Sequence, residues 1–184
     1  YGADFVNNSF TGDAGGQLVH RKIIRPTADG ISLEGERPTD ERGFEFAASK
    51  DTWVRVVNFA NAPDGCLNIM DMYREVIEHP WSIPDDIHAA VDLLRGRDRG
   101  RIWRLAPKSG AAVPAASSQA RGLHHTPKLS AASTNDLVAL LDHPNAWHRE
   151  TAQRLLFERQ DKTAVEPLRE LVKSGKTEQG KVCA

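Results

Sequence analysis

Cysteine is scarce in this chain, and no excess of charge of either sign is present. The two cysteines, Cys66 and Cys183, stand far apart. That excludes a disulfide framework, a cysteine-based zinc cluster and a haem-attachment Cys-x-x-Cys-His. Lysine and arginine total 24 against 25 aspartates and glutamates, a net charge of -1. So flat a balance excludes an electrostatic footprint for nucleic acid and a polybasic membrane anchor. No apolar run approaches the ~20 residues that a membrane helix needs. The start, Tyr1-Gly2-Ala3-Asp4, carries no charged-then-apolar leader. A signal peptide is expected only upstream, in a longer parent protein. What is present, 40% hydrophobic and 27% charged residues over 184 positions, fits globular folding in one or two domains.

Composition changes at Pro107. Before it the chain is rich in β-branched and aromatic residues, punctuated by Gly, Asn and Asp. Short strands are predicted over 3–7, 17–24, 31–34, 44–47, 53–59, 66–70 and 100–105. Trp53, Arg55, Val57 and Phe59 share one face of their strand. Pro63-Asp64-Gly65 is a tight turn, since Pro presets φ and Gly accepts positive φ. Ile87, Val91 and Leu94 recur at helical spacing, which predicts a short helix inserted at 84–95. Residues 108–132 are small, Pro- and Ser-rich and read as a linker. From 133 the period is helical: Leu137, Leu140 and Leu141 form one stripe. Trp147, Thr151, Ala152, Leu155 and Leu156 form a second, and Val165, Leu168, Leu171 and Val172 a third. Three helices joined by short turns pack as antiparallel neighbours.

Two stretches of the first part carry a resemblance. One is Asp71-Met72-Tyr73-Arg74-Glu75 with Ile77-Glu78-His79-Pro80, just after the Pro63-Asp64-Gly65 turn. The other is Gly96-Arg97-Asp98-Arg99-Gly100-Arg101-Ile102-Trp103-Arg104. Together with Leu18-Val19-His20-Arg21 they resemble the end of the β-propeller in the membrane-bound dehydrogenase-like proteins of bacteria. The propeller of that family is similar to soluble quinoprotein sugar and sorbosone dehydrogenases. Asp142-His143-Pro144, Arg149, Ala152 and Leu155 resemble the turn, arginine and packing positions of a HEAT repeat. The resemblance implies a mixed fold: antiparallel β, the last blade or blades of a propeller, then an α-helical HEAT-like solenoid segment. Its domains are the propeller portion 1–107, the linker 108–132 and the helical segment 133–184.

The same resemblance implies site residues. In the sugar dehydrogenases the inner strand before the Pro-Asp-Gly turn carries an arginine that contacts the quinone, and Arg55 matches that position. A guanidinium fork suits the carboxylates of pyrroloquinoline quinone; the competing reading is an arginine paired inside the fold. Asp71, Tyr73, Arg74, Glu75 and His79 follow a strand and so belong to a propeller loop, where sites concentrate. Two carboxylates, an arginine, a phenol and an imidazole serve acid–base work, or else hold a long insertion in place. No metal site is assigned. The Gly-rich run 11–16 lacks the Gly-Lys-Ser/Thr ending of a phosphate loop and reads as a hairpin loop, with Asp13 a minor calcium candidate. Arg95, Arg97, Arg99, Arg101 and Arg104, offset by Asp98, read as a solvated turn with salt bridges, the competing reading being a phosphate or glycan site. His124-His125 read as linker, the competing reading being stray metal binding, and Arg149 as a turn-bonding residue.

Two functions follow. In one, the parent protein is an exported, cell-envelope or periplasmic sugar or alcohol dehydrogenase using pyrroloquinoline quinone and calcium, with haem only in a downstream cytochrome module. These 184 residues alone are then expected to be inactive. In the other, propeller and solenoid form a non-catalytic scaffold that binds a polysaccharide, or a protein partner through the HEAT-like segment. The departures from the family pattern at Val56 and Asn68 weigh toward the second.

Overall fold

The computed structural model of the chain describes residues 3–106 and 128–184. The greater part of the expected linker, 108–127, with His124-His125, lies outside the described residues. By contact the chain divides into two units, Tyr1–Ala60 with Leu67–Val113, and Asn61–Cys66 with Pro114–Ala184. The fold is mixed: antiparallel sheets first, helices last.

The first unit holds two sheets. Strand β1 (Asn8–Asp13) pairs antiparallel with β2 (Leu18–Pro26), and Gly12 faces Val19 while Phe10 faces Arg21. The far edge of β2 is shared. Its C-terminal half pairs with β3 (Leu33–Glu36), its start with the two-residue β4 (Ala47–Ala48). The second sheet is a meander of β5 (Val56–Asn61), β6 (Leu67–Asp71) and β7 (Arg101–Leu105), in that order. Inward residues alternate along β6: Leu67, Ile69 and Asp71 are buried, as a one-sided strand requires. One core joins the sheets, built on Val19, Val54, Val56, Leu67 and Ile69 with Phe10, Phe46 and Phe59 packed on it. Each of these aliphatic side chains contributes about 1.5–3 kcal/mol on burial. The sheets approach closely at Gly12, where an added Cβ would lie 2.5 Å from Val56 Cγ1.

The strand predicted over 3–7 is instead a 3-10 turn, Ala3–Phe5, and the strand starts at Asn8 after Asn7 takes φ 56°. Strand β1 then runs on into the expected loop as far as Asp13. Strands predicted over 53–59 and 66–70 start later, at Val56 and Leu67. In the stretch predicted as a helix over 84–95, helix α1 covers Asp85–Ala90 and ends as Val91 turns extended.

In the second unit, α2 (Thr134–Leu140) begins with a reciprocal cap between Ser133 and Asp136, which satisfies two otherwise unpaired N–H groups. Helix α3 (Ala146–Arg159) starts on the Asn145 side chain and ends at Gln160 in the left-handed region. Helix α4 (Val165–Ser174) follows a 3-10 turn capped by Asp161. Leu129, Leu137, Leu141 and Ala152 are the buried centre, with Trp147, Leu155, Leu168 and Leu171 around them. The packed unit therefore takes in Leu129–Ala131, part of the expected linker, because Leu129 is buried and Arg159 donates to the Leu129, Ser130 and Ala132 carbonyls. A helix the periodicity did not reveal, α5 (Glu178–Cys183), is capped by Thr177. Asp142 accepts from the Lys176 and Thr177 N–H groups at 2.7 and 2.9 Å and so ties α5 to the end of α2.

Candidate functional site

Four of the sequence-predicted residues meet at the end of the second sheet, and Arg55 joins them. Its side chain is buried, at 8% exposure. Nε donates to the Arg74 carbonyl at 2.9 Å, Nη1 to Ala14 at 2.8 Å and Nη2 to Glu75 at 2.8 Å. One guanidinium thus ties the β1–β2 loop to the segment that leaves β6. Charge-assisted bonds of this kind are about twice as strong as neutral ones.

Asp71, the last residue of β6, is the centre of the cluster. Oδ1 accepts from the N–H groups of Arg55 at 2.8 Å and Tyr73 at 2.9 Å. Oδ2 accepts from Arg101 Nε and Trp103 Nε1, both at 3.0 Å. Burial raises the carboxyl, but the bonds from Arg55, Trp103, Arg101 and Tyr73 together outweigh it, and the group lies below the usual carboxylate range. Arg101 is in turn stacked on two rings, its carbon 3.9 Å from the Tyr73 centroid and 4.9 Å from that of Trp103. Tyr73 continues to Trp53, 5.7 Å away, and Trp53 to Arg95. Arg95 closes back on Glu75 at 3.1 Å.

The backbone fits this arrangement tightly. Tyr73 takes φ 52°, and Gly96 takes φ 90° while packing against it. A Cβ at Gly96 would lie 2.6 Å from the Tyr73 carbonyl oxygen, so only glycine fits there.

His79 stands apart from this cluster. It caps the turn Pro80–Ser82 by accepting from Trp81 N–H at 3.2 Å, and its ring meets Trp81 edge-on. Asp13 spends its Oδ1 on the Gly15 and Gly16 N–H groups at 2.9 and 2.8 Å, closing its own loop. Arg149 donates to the His143 and Pro144 carbonyls. Among the described residues no group of three or more His, Cys, Asp or Glu is placed to hold a metal ion. No helix among them is long and apolar enough to cross a membrane.

Sequence reasoning missed Trp103 and the roles of Arg101 and Trp53. The available signal was alternation: Arg101, Trp103 and Leu105 share one face, and the register sets Arg101 against Asp71 and Trp103 against Ile69. A second polar feature was also missed. Arg21 and Glu41, each 7% exposed, pair at 2.8 Å, and Arg21 lies 4.8 Å over the Phe5 ring.

An open apolar cleft of about 230 Å³ adjoins the cluster. Buried Val19, Val56 and Ile69 line its base, and Ala48, Trp103 and Leu105 its more exposed sides. Trp103 is 45% exposed although Asp71 fixes its indole N–H.

No curated protein and no solved structure matches the chain. One family pattern does, described as a domain of unknown function, over residues 1–109. That span is more than half of the sequence, and the chain belongs to this family, DUF7133.

Proposed function

We propose that this chain is a non-catalytic holding module, the closing portion of a β-propeller followed by the first helices of a HEAT-like stack. The observation that carries this reading is the saturation of its polar cluster. Arg55 spends three N–H groups on main-chain carbonyls, and both Asp71 oxygens accept two bonds each. A general base needs a lone pair facing substrate, and an anion-binding arginine needs its fork free. Here the same groups fix loops and the Trp103 indole. The HEAT-like part of the reading rests on the Asp142-His143-Pro144 turn with Arg149 bonded across it.

The dehydrogenase reading keeps the support of the residue resemblance at 71–80 and 96–104. Its quinone, however, fits Arg55 poorly, because the guanidinium is buried and bonded on three sides. The two readings separate by titrating the full-length parent protein with pyrroloquinoline quinone and calcium, because both expect these 184 residues alone to be inactive. Tryptophan quenching reports binding, and dye reduction with aldoses reports turnover. The holding module predicts neither. Saturable quinone binding that Arg55→Lys weakens, or measurable turnover, would overturn it.

A further inference from the structure

We infer that the free edge of β7 and the cleft beside it receive an extended, acidic peptide segment of a protein partner, added to the sheet as a fourth strand. The inference rests on the holding-module reading and names its surface.

Strand β7 pairs with β6 on one side and with nothing on the other among the described residues. An unpaired edge is a template for strand addition, with main-chain bonds giving affinity and pockets for alternate side chains giving specificity. Both elements occur together here. The cleft lies against β7, lined by Trp103 and Leu105 from that strand and by Val19, Val56 and Ile69 beneath. Trp103 is a preorganised anchor. Asp71 holds its N–H at 3.0 Å and Arg101 stacks on its ring, so little freedom remains to be lost on binding.

Charge selects the occupant. Arg97 and Arg99, on the turn that leads into β7, are exposed and form no ion pair among the described residues. Asp98 is the single acid between them. Arg101 and Arg104 lie on the strand itself. A strand alternating Glu or Asp with Val or Leu answers both features: apolar residues enter the cleft and carboxylates meet Arg97 and Arg99.

The test uses the 184-residue chain and a fluorescein-labelled eight-residue peptide alternating Glu with Val and Leu, read by anisotropy. Saturable binding is expected. Arg97→Glu with Arg99→Glu should weaken it by about tenfold or more, since two exposed pairs become repulsions. Both positions are exposed, so circular dichroism should be unchanged. N-methylation of alternate peptide bonds should abolish binding, because only strand pairing needs those N–H groups. Equal binding by the N-methylated peptide, or by the charge-reversed variant, overturns the inference, as does displacement by an equal charge of single-stranded DNA. No peptide binding, with no quinone binding either, removes this inference and leaves the holding module standing. Quinone binding removes the module.

Discussion

Replacing Asp71 by Asn tests whether this carboxylate holds the end of the second sheet. The side chain keeps its shape and one oxygen. That oxygen still accepts from the Arg55 and Tyr73 N–H groups. The new amide nitrogen then faces Arg101 Nε and Trp103 Nε1, two donors, across the present 3.0 Å contacts. Bonds to a charged group are worth about 1.5–3 kcal/mol each, and two are lost. Solvent recovers part of the Arg101 share, because that side chain is 37% exposed. The net loss should be about 3 kcal/mol. Urea unfolding followed by tryptophan emission should show a lower midpoint at unchanged slope, since the same surface is exposed on unfolding. The sign of the pH effect follows from the depressed carboxyl. Its contribution is complete above the unfolded value of about 3.9 and fades as pH falls through the folded one. The variant should lose that acid-side slope. Asp51→Asn is the control, a half-exposed partner of Arg101 at 3.6 Å, and should cost less than about 1 kcal/mol. If Asp71→Asn costs no more than that control, the carboxylate is not what fixes the strand.

Three further outcomes rest on different interactions. Gly96→Ala meets both a positive φ and the Tyr73 carbonyl, and should cost about 1–2 kcal/mol from the backbone alone, plus the clash, in the same unfolding assay. Arg21→Ala strands Glu41 in the interior, so about 3–5 kcal/mol should be lost, while the double change Arg21→Met with Glu41→Leu should restore most of it. In the helical unit, burial, then the neighbouring charges of His148 and Arg149, hold the His143 imidazole below its ordinary 6.5. That stability is complete above 6.5 and is lost as pH falls through the lowered folded value. Thermal melts between pH 7.5 and pH 5 should therefore show falling stability, and His143→Gln should flatten the dependence.

Local signals were legible in the sequence and register was not. The Pro63-Asp64-Gly65 turn is where expected: Gly65 takes φ 79° and Asp64 accepts from Cys66 N–H. Such a turn is fixed by residues within four positions. The helical stripes at Leu137, Leu141 and Ala152 are buried for the same local reason. The Asp71 site was half legible. Asp71 to Glu75 are contiguous and stood out, but Arg101 and Trp103 reach Asp71 only through pairing across thirty residues or more. Arg21 did leave a trace. It lies two residues after Val19, on the core face, and a charge there requires a buried partner. What the sequence could not name was Glu41, which arrives from a 3-10 turn with no strand periodicity. Helix α5 is too short for a period to show and depends on Asp142 for its start.

The two buried arginines of the sheet unit show why a spent cluster argues for holding. Arg21 meets an opposite charge, Glu41, and is covered by Phe5 and Phe46. Arg55 meets main-chain carbonyls instead, which give it bonds but no compensating charge. Burying a cation is costly, and the three hydrogen bonds offset part of that cost only while they stay made. Asp71 accepts from the Arg55 main-chain N–H through one oxygen, and through the other it fixes Arg101 and Trp103. The cation at Arg55 and the anion at Asp71 therefore serve one strand junction. Lending either to a substrate would loosen the loops at Ala14 and Glu75 and free the indole beside the cleft. A site that must unfold its own frame to react is poorly suited to turnover, whereas a frame that keeps Trp103 fixed and half exposed is well suited to being bound.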